Sequence, residues 1–313
     1  MPTSHPFGRA LCAMVTPFTD DGALDTGGAR KLAALLVDEG CDGLVLSGTT
    51  GESPTTTDAE KSALIRAVVE AVGDRVPVVA GVGTADTRHS VALARAAEEA
   101  GAAGVLAVTP YYSRPPQPAV EAHFRRIADG CGLPVMLYDI PGRTGTRIEP
   151  DTMLRLAGHP RIVAVKDCAY DLMGSARVIA ESDLAYYSGC EELNLPLRAV
   201  GGAGFVSTVA NVAAGPLREI LDAHEAGDNA RALRLHQRTL PLVREMMAAG
   251  LPGTVTAKAL LGALGRPAGP VREPLQAADT PTTERLVAAW ERLAAGGREP
   301  ASRALPDPSP FNS

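Results

Sequence analysis

Leu133-Pro134-Val135-Met136-Leu137-Tyr138-Asp139 and Ile162-Val163-Ala164-Val165-Lys166 decide the reading of this chain. Both are short, nearly continuous apolar runs, and each closes on a side chain capable of chemistry. A strand buried on both faces has this composition, whereas a half-exposed strand alternates apolar with polar residues. Runs of the same kind recur on either side, at 11–15, 43–47, 76–81, 104–109, 184–188 and 204–208. Between them lie stretches with helical spacing. Ala29, Leu32, Leu35 and Leu36 make one apolar stripe, and Val91, Leu93, Ala94 and Ala97 make another. Asp58, with Lys61 and Leu64 behind it, and Asp86-Thr87 are placed to start helices.

Buried strands alternating with helices predict a (β/α)8 barrel. The main rival is a doubly wound sheet, whose glycine-rich dinucleotide turn is missing. Gly81-Val82-Gly83 meets Asp86 where a third glycine is due. Helical patterns continue after the last run, at 229–247, 254–264 and 282–295. The expected organisation is therefore a catalytic barrel over 1–226 and a C-terminal helical appendage over 227–296. The tail at 297–313 is rich in Pro and Ser and is expected to be disordered.

Composition narrows the function. The chain has 313 residues, 45% of them hydrophobic, and carries a net charge of −6 with no Lys/Arg cluster. That excludes an electrostatic nucleic-acid binder. No apolar stretch approaches the roughly 18–20 residues of a membrane span. Residues 1–10 lack the basic and apolar regions of a secretion signal, so a cytoplasmic protein is expected. Cys12, Cys41, Cys131, Cys168 and Cys190 are odd in number and widely spaced. They read as free thiols of a reducing compartment, not as metal ligands.

Barrel enzymes carry their reacting groups at the C-terminal ends of the strands. Lys166 closes its run there, where burial disfavours an ammonium and a neutral amine can attack a ketone. Position alone fits equally well a lysine that reaches solvent or pairs with Asp167. Tyr138 can relay protons or simply cap the core. Thr49 and Thr50, between Gly48 and Gly51, can present hydroxyl and N–H groups to a carboxylate, or form an ordinary turn. Arg143, on a loop braced by Pro141, Gly142 and Gly145, can pair with a carboxylate or lie idle on the surface.

Gly48-Thr49-Thr50-Gly51-Glu52-Ser53, Thr109-Pro110-Tyr111-Tyr112, Tyr138 to Gly145, Val165-Lys166-Asp167 and Gly201 to Ser207 together resemble the dihydrodipicolinate synthase family. These are pyruvate-dependent class I aldolases of the N-acetylneuraminate lyase type, and the likeness runs from about residue 8 to 295. The resemblance implies that Lys166 forms a Schiff base with pyruvate and that Tyr138 transfers protons, linked through Thr50 to Tyr112. It implies that Tyr112 comes from a neighbouring subunit, in a tight dimer and usually a tetramer. Thr49, Thr50 and the backbone around Gly189 and Val206 would hold pyruvate, and Arg143 the carboxylate of aspartate semialdehyde. No metal or organic cofactor is implied.

The resemblance also locates a lysine-effector cleft on Lys61, Ala85, His89 and Tyr111, of which only the tyrosine matches lysine-sensitive members. Cys190-Glu191 and Asp167-Cys168-Ala169-Tyr170 depart from the family pattern and bear on the acceptor aldehyde. A sugar-acid lyase or dehydratase is the alternative reading, and a catalytically silent keto-acid sensor is a third.

Overall fold

The computed structural model describes residues 5–247 and 250–296. The tail expected to be disordered lies outside the described residues. Eight strands close into one parallel barrel: β1 Ala10–Ala13, β2 Gly43–Leu46, β3 Val78–Gly81, β4 Gly104–Val108, β5 Val135–Asp139, β6 Ile162–Asp167, β7 Ala185–Ser188 and β8 Gly204–Ser207. The ring closes where Leu11 of β1 pairs with Val206 of β8. Each run predicted from sequence overlaps its strand, and the ends differ by one or two residues; β1 starts one residue before its run and β6 ends one residue after its run.

The apolar residues sort into two cores because successive strand side chains face opposite ways. Leu11, Val45, Val79, Leu106, Met136, Ala164, Ala185 and Val206 fill the barrel interior. Cys12, Leu44, Val78, Val105, Leu137 and Val165 face the surrounding helices. A strand with apolar neighbours on both sides has no polar positions, so its run reads as continuous.

The helix Asp58–Val72 opens at Asp58 as expected. Thr57 is its cap, and Thr57 and Glu60 form a reciprocal capping box. Asp58 is the first helical residue. Asp86 caps the helix Thr87–Glu99 as predicted, accepting from the Arg88 N–H.

Three C-terminal helices, Asn229–Met247, Gly253–Ala263 and Thr280–Ala295, pack beside the helix Ala210–Glu225. They also reach the barrel mouth, where the Thr254 hydroxyl donates to the Thr49 carbonyl at 3.3 Å. Beneath that contact Glu52 and Lys258 form an ion pair at 2.6 Å with side chains 1% and 3% exposed. No helix among the described residues is long and apolar enough to cross a membrane.

Candidate active site

Strand alternation builds the site. On β6, Ala164 points into the barrel, so Lys166 points inward one layer higher, at the mouth, and Cys168 follows at the rim. On β5, Met136 and Tyr138 stack the same way, and the β5–β6 register sets Tyr138 directly beside Lys166. The Lys166 amine lies 4.4 Å from the centre of the Tyr138 ring. Both residues are buried, at 5% and 4% exposure.

Lys166 makes no ion pair among the described residues. Asp167 points the other way and accepts from Ser175 Oγ and, at 2.7 Å, from the Ala169 N–H. Its register partner is Asp139, likewise outside the barrel lumen. Burial pushes the Asp139 carboxyl up to about 7, with the nearby Asp167 adding to the rise and the Ile148 N–H opposing it. The pairing of Lys166 with Asp167 that position alone allowed is therefore absent.

Gly189 is the inward position of β7 above Tyr187. A β-carbon there would lie 2.3 Å from Cys168 Sγ, 2.9 Å from Lys166 Cε and 3.1 Å from Lys166 Cγ. Heavy atoms in van der Waals contact stand about 3.5–4.0 Å apart, so only glycine leaves room for the lysine stem. The Gly189 N–H continues the strand ladder to the Asp167 carbonyl at 2.8 Å.

These groups wall a cavity of about 460 Å³ with Thr49, Thr50, Arg143, Tyr170, Cys190, Thr208 and Thr254. Val206 is not on its wall. It lies one layer down in the barrel interior, and Thr208, two residues on, takes the rim position that Val206 was expected to serve. Thr208 Oγ1 and Thr50 Oγ1 are 2.8 Å apart.

The Thr50 hydroxyl is engaged with Thr208, and the Thr49 side chain is the threonine that acts on the Tyr138 phenol. Burial pushes that phenol well above the usual tyrosine range and the Cys168 sulfur adds to it. The Thr49 side chain and the Arg143 charge pull it back. Arg143 is exposed on the short helix Pro141–Thr144 and makes no ion pair among the described residues, so its guanidinium is free to meet a ligand.

Tyr112 does not line the cavity of its own chain. It is 94% exposed and held at φ 73°, a left-handed conformation uncommon outside glycine. Glu191, next to Cys190, is buried and is not among the residues that wall the cavity. Its carboxylate accepts from Ser207 Oγ and from the Thr208 and Val209 N–H groups at 2.7–3.1 Å. From the two segments that depart from the family pattern, Cys168, Ala169, Tyr170 and Cys190 reach the cavity wall.

Sequence reasoning missed Thr208, Thr254 and the Glu52–Lys258 pair. Thr208 carried a usable signal, since it follows Val206 by one inward step. The other two depend on how a distant helix packs.

Residues 6–293 match the model of the dihydrodipicolinate synthetase family. The chain belongs to that family. A 4-hydroxy-tetrahydrodipicolinate synthase 1 of Streptomyces coelicolor is 71% identical over 292 residues, covering 93% of this chain and 96% of the relative. A second synthase of the same organism is 58% identical, over 95% of this chain and 98% of that one. Among solved family structures, the enzyme of Cyanidioschyzon merolae with lysine bound superposes with a TM-score of 0.90 at 37% identity, covering 93% of this chain and 99% of that one.

Proposed function

We propose that this protein is a 4-hydroxy-tetrahydrodipicolinate synthase that condenses pyruvate with L-aspartate 4-semialdehyde, the first dedicated step towards diaminopimelate and lysine. The observation that carries the reading is Lys166: a buried amine with no carboxylate partner, beside a tyrosine phenol, on the wall of a cavity.

The Lys166 amine adds to the keto carbon of pyruvate, and loss of water leaves an imine. The imine withdraws electrons from the pyruvate methyl, which gives up a proton to become an enamine. Tyr138, acted on by the Thr49 side chain, is placed to carry these protons. The enamine carbon attacks the aldehyde, whose oxygen takes a proton as the new C–C bond forms. The acceptor's own amine then attacks the imine carbon and displaces Lys166, which closes the ring and frees the enzyme. The imine formed on Lys166 is the electron sink, so the sequence is written with no metal or organic cofactor.

The Thr49–Thr50 turn and the Gly189 backbone are assigned to pyruvate, and Arg143 at the mouth to the acceptor carboxylate. The exposure of Tyr112 supports its delivery to a second copy's cavity, hence a tight dimer and, by family resemblance, a tetramer in the cytoplasm. We treat 1–226 as the catalytic barrel and 227–296 as a helical region that contributes Thr254 to the cavity wall. Arg143 argues against the sugar-acid alternative, as the sialic-acid branch of the superfamily lacks it.

Pyruvate and borohydride should together inactivate the enzyme and leave a reduced pyruvyl adduct on the peptide bearing Lys166. An adduct on Lys61 or Lys258, or none, would overturn the assignment.

A further inference from the structure

Two cysteines stand where the chain departs from its family, and the mechanism uses neither. Cys168 follows the end of β6 and Cys190 follows β7, each 8% exposed, and both line the Lys166 cavity. Both belong to the same buried cluster at the barrel mouth. Because Asp167 pairs with Ser188, Cys168 falls opposite Gly189, and Cys190 lies one residue further along the neighbouring strand. Adjacent strands run about 4.8 Å apart with a rise of about 3.3 Å per residue. The diagonal from Cys168 Cα to Cys190 Cα is therefore about 5.8 Å by this strand geometry. Disulfides span Cα separations of about 4.4–6.8 Å.

We propose that Cys168 and Cys190 form an oxidisable dithiol at the mouth of the Lys166 cavity, which a hydroperoxide converts to a disulfide that disables imine formation. The inference rests on the Schiff-base reading only for its functional consequence.

The chemistry balances in two steps. The sulfur of one cysteine attacks a peroxide oxygen, the O–O bond breaks, and water or an alcohol leaves, giving a sulfenic acid. The second sulfur attacks the first, the S–O bond breaks and water leaves. Two thiols have been oxidised by two electrons and one hydroperoxide reduced. Either sulfur can make the first attack and the other then resolves it, since both face the cavity. Tyr170, also on the cavity wall, reaches over the pair. Its phenol donates to Glu192 Oε1 at 2.7 Å and contacts Cys190.

Gly189 explains why the bond would matter. The Cys168 sulfur and the Lys166 stem share the space that a Gly189 side chain would fill. Drawing Cys168 Sγ to the roughly 2.05 Å of a disulfide tightens the chain around Gly189 and displaces the lysine lying against it. A misplacement of about 1 Å at a reacting group costs roughly a hundredfold in rate. Cys12 and Cys41 also touch, but both are enclosed in the core away from any cavity, so they serve as an internal control.

The test exposes the intact protein to hydrogen peroxide, blocks remaining thiols, and digests it without reduction. Mass spectrometry should find one peptide pair joined through Cys168 and Cys190. Borohydride trapping of pyruvate should fall roughly a hundredfold and return on adding dithiothreitol. Cys168→Ala and Cys190→Ala, each normalised to its own untreated value, should lose no trapping reversibly. Absence of the cross-link, a cross-link with trapping unchanged, or equal reversible loss in a variant lacking both thiols overturns the proposal. Because the cross-link is read by mass, an error in the assigned reaction would leave that result intact.

Discussion

Lys258→Met should destabilise the protein by about 3–4 kcal/mol at neutral pH, and by much less in mild acid. The pair it breaks is enclosed. Lys258 Nζ lies 2.6 Å from Glu52 Oε1, donates to the Pro270 carbonyl at 2.7 Å, and sits 4.1 Å from the centre of the Phe18 ring. Burial holds the Lys258 ammonium below the usual lysine range, and Glu52 opposes that shift. Removing one partner of a buried pair costs about 3–5 kcal/mol, mostly for the charge left behind.

Methionine keeps the stem against Phe18, so the stranded charge is the main change. Glu52 retains one bond, from the Arg272 N–H at 2.8 Å. It can also escape by taking a proton, which bounds the penalty. A carboxyl that titrates near 4.3 in the unfolded chain costs about 3.7 kcal/mol to protonate at pH 7, at 1.36 kcal/mol per unit. At pH 5 the same step costs about 1 kcal/mol. In the variant the folded carboxyl titrates above the unfolded one, so folded molecules hold a proton that unfolded ones release. Stability is then lost as pH rises from the unfolded value and regained on acidification.

Urea unfolding of both proteins at one concentration, at pH 7 and pH 5, measures the difference. A loss under about 1 kcal/mol at pH 7 would refute the burial argument. A loss equal at both pH values would refute the stranded-carboxylate argument.

Arg143→Ala should weaken acceptor affinity by about ten- to a hundredfold, as expected for a charge-assisted bond worth roughly 1.5–3 kcal/mol; pyruvate trapping should persist, and its loss with normal acceptor affinity would remove Arg143 from that role. Tyr138→Phe should cut turnover at least roughly a hundredfold, and Thr49→Val should slow it more than Thr50→Val if the Thr49 side chain is the relay; the reverse order would restore Thr50. Tyr112→Phe should slow turnover, and mixing it with Lys166→Ala subunits should recover activity if Tyr112 crosses between copies. Lysine should inhibit weakly or not at all, since Lys61 already places a buried ammonium on the Ser53 and Thr56 carbonyls, His89 is paired with Asp58 at 2.9 Å, and Ala85 has no amide to offer. Clear inhibition at submillimolar lysine would contradict that reading.

The barrel was legible because burial on both faces leaves an unmixed apolar signature, and each run overlaps its strand. The ends were less so. Composition reports where a run stops being apolar, whereas a strand stops where its ladder does, as at Ala13 of β1. The start at Asp58 was legible, and its cap Thr57 was readable from Glu60 three residues on, the capping-box partner.

Lys166 and Tyr138 were readable as strand-end residues on one rim. Whether Thr49 or Thr50 meets the phenol was not, because neighbours in a turn differ in direction and sequence does not record the turn's rotation. Lys258 lies in an ordinary helical pattern. Only the packing of its helix on the barrel mouth reveals Glu52.

One geometric rule joins the lysine to the residues that set this chain apart. Inward positions on neighbouring strands meet in layers, so the layer above Ala164 and Ala185 brings Lys166 beside Tyr187, and the next brings Cys168 beside Gly189. A family can therefore hold the Lys166 layer fixed while the rim above it changes. Here the rim has gained two sulfurs and an exposed tyrosine, while Glu191 from the same segment has turned inward to tie down the start of the helix Ala210–Glu225. While its thiols stay reduced, a changed rim alters what can approach the imine without altering how the imine forms. Divergence in this enzyme should thus appear in acceptor handling and in sensitivity to thiol reagents, with pyruvate activation unchanged.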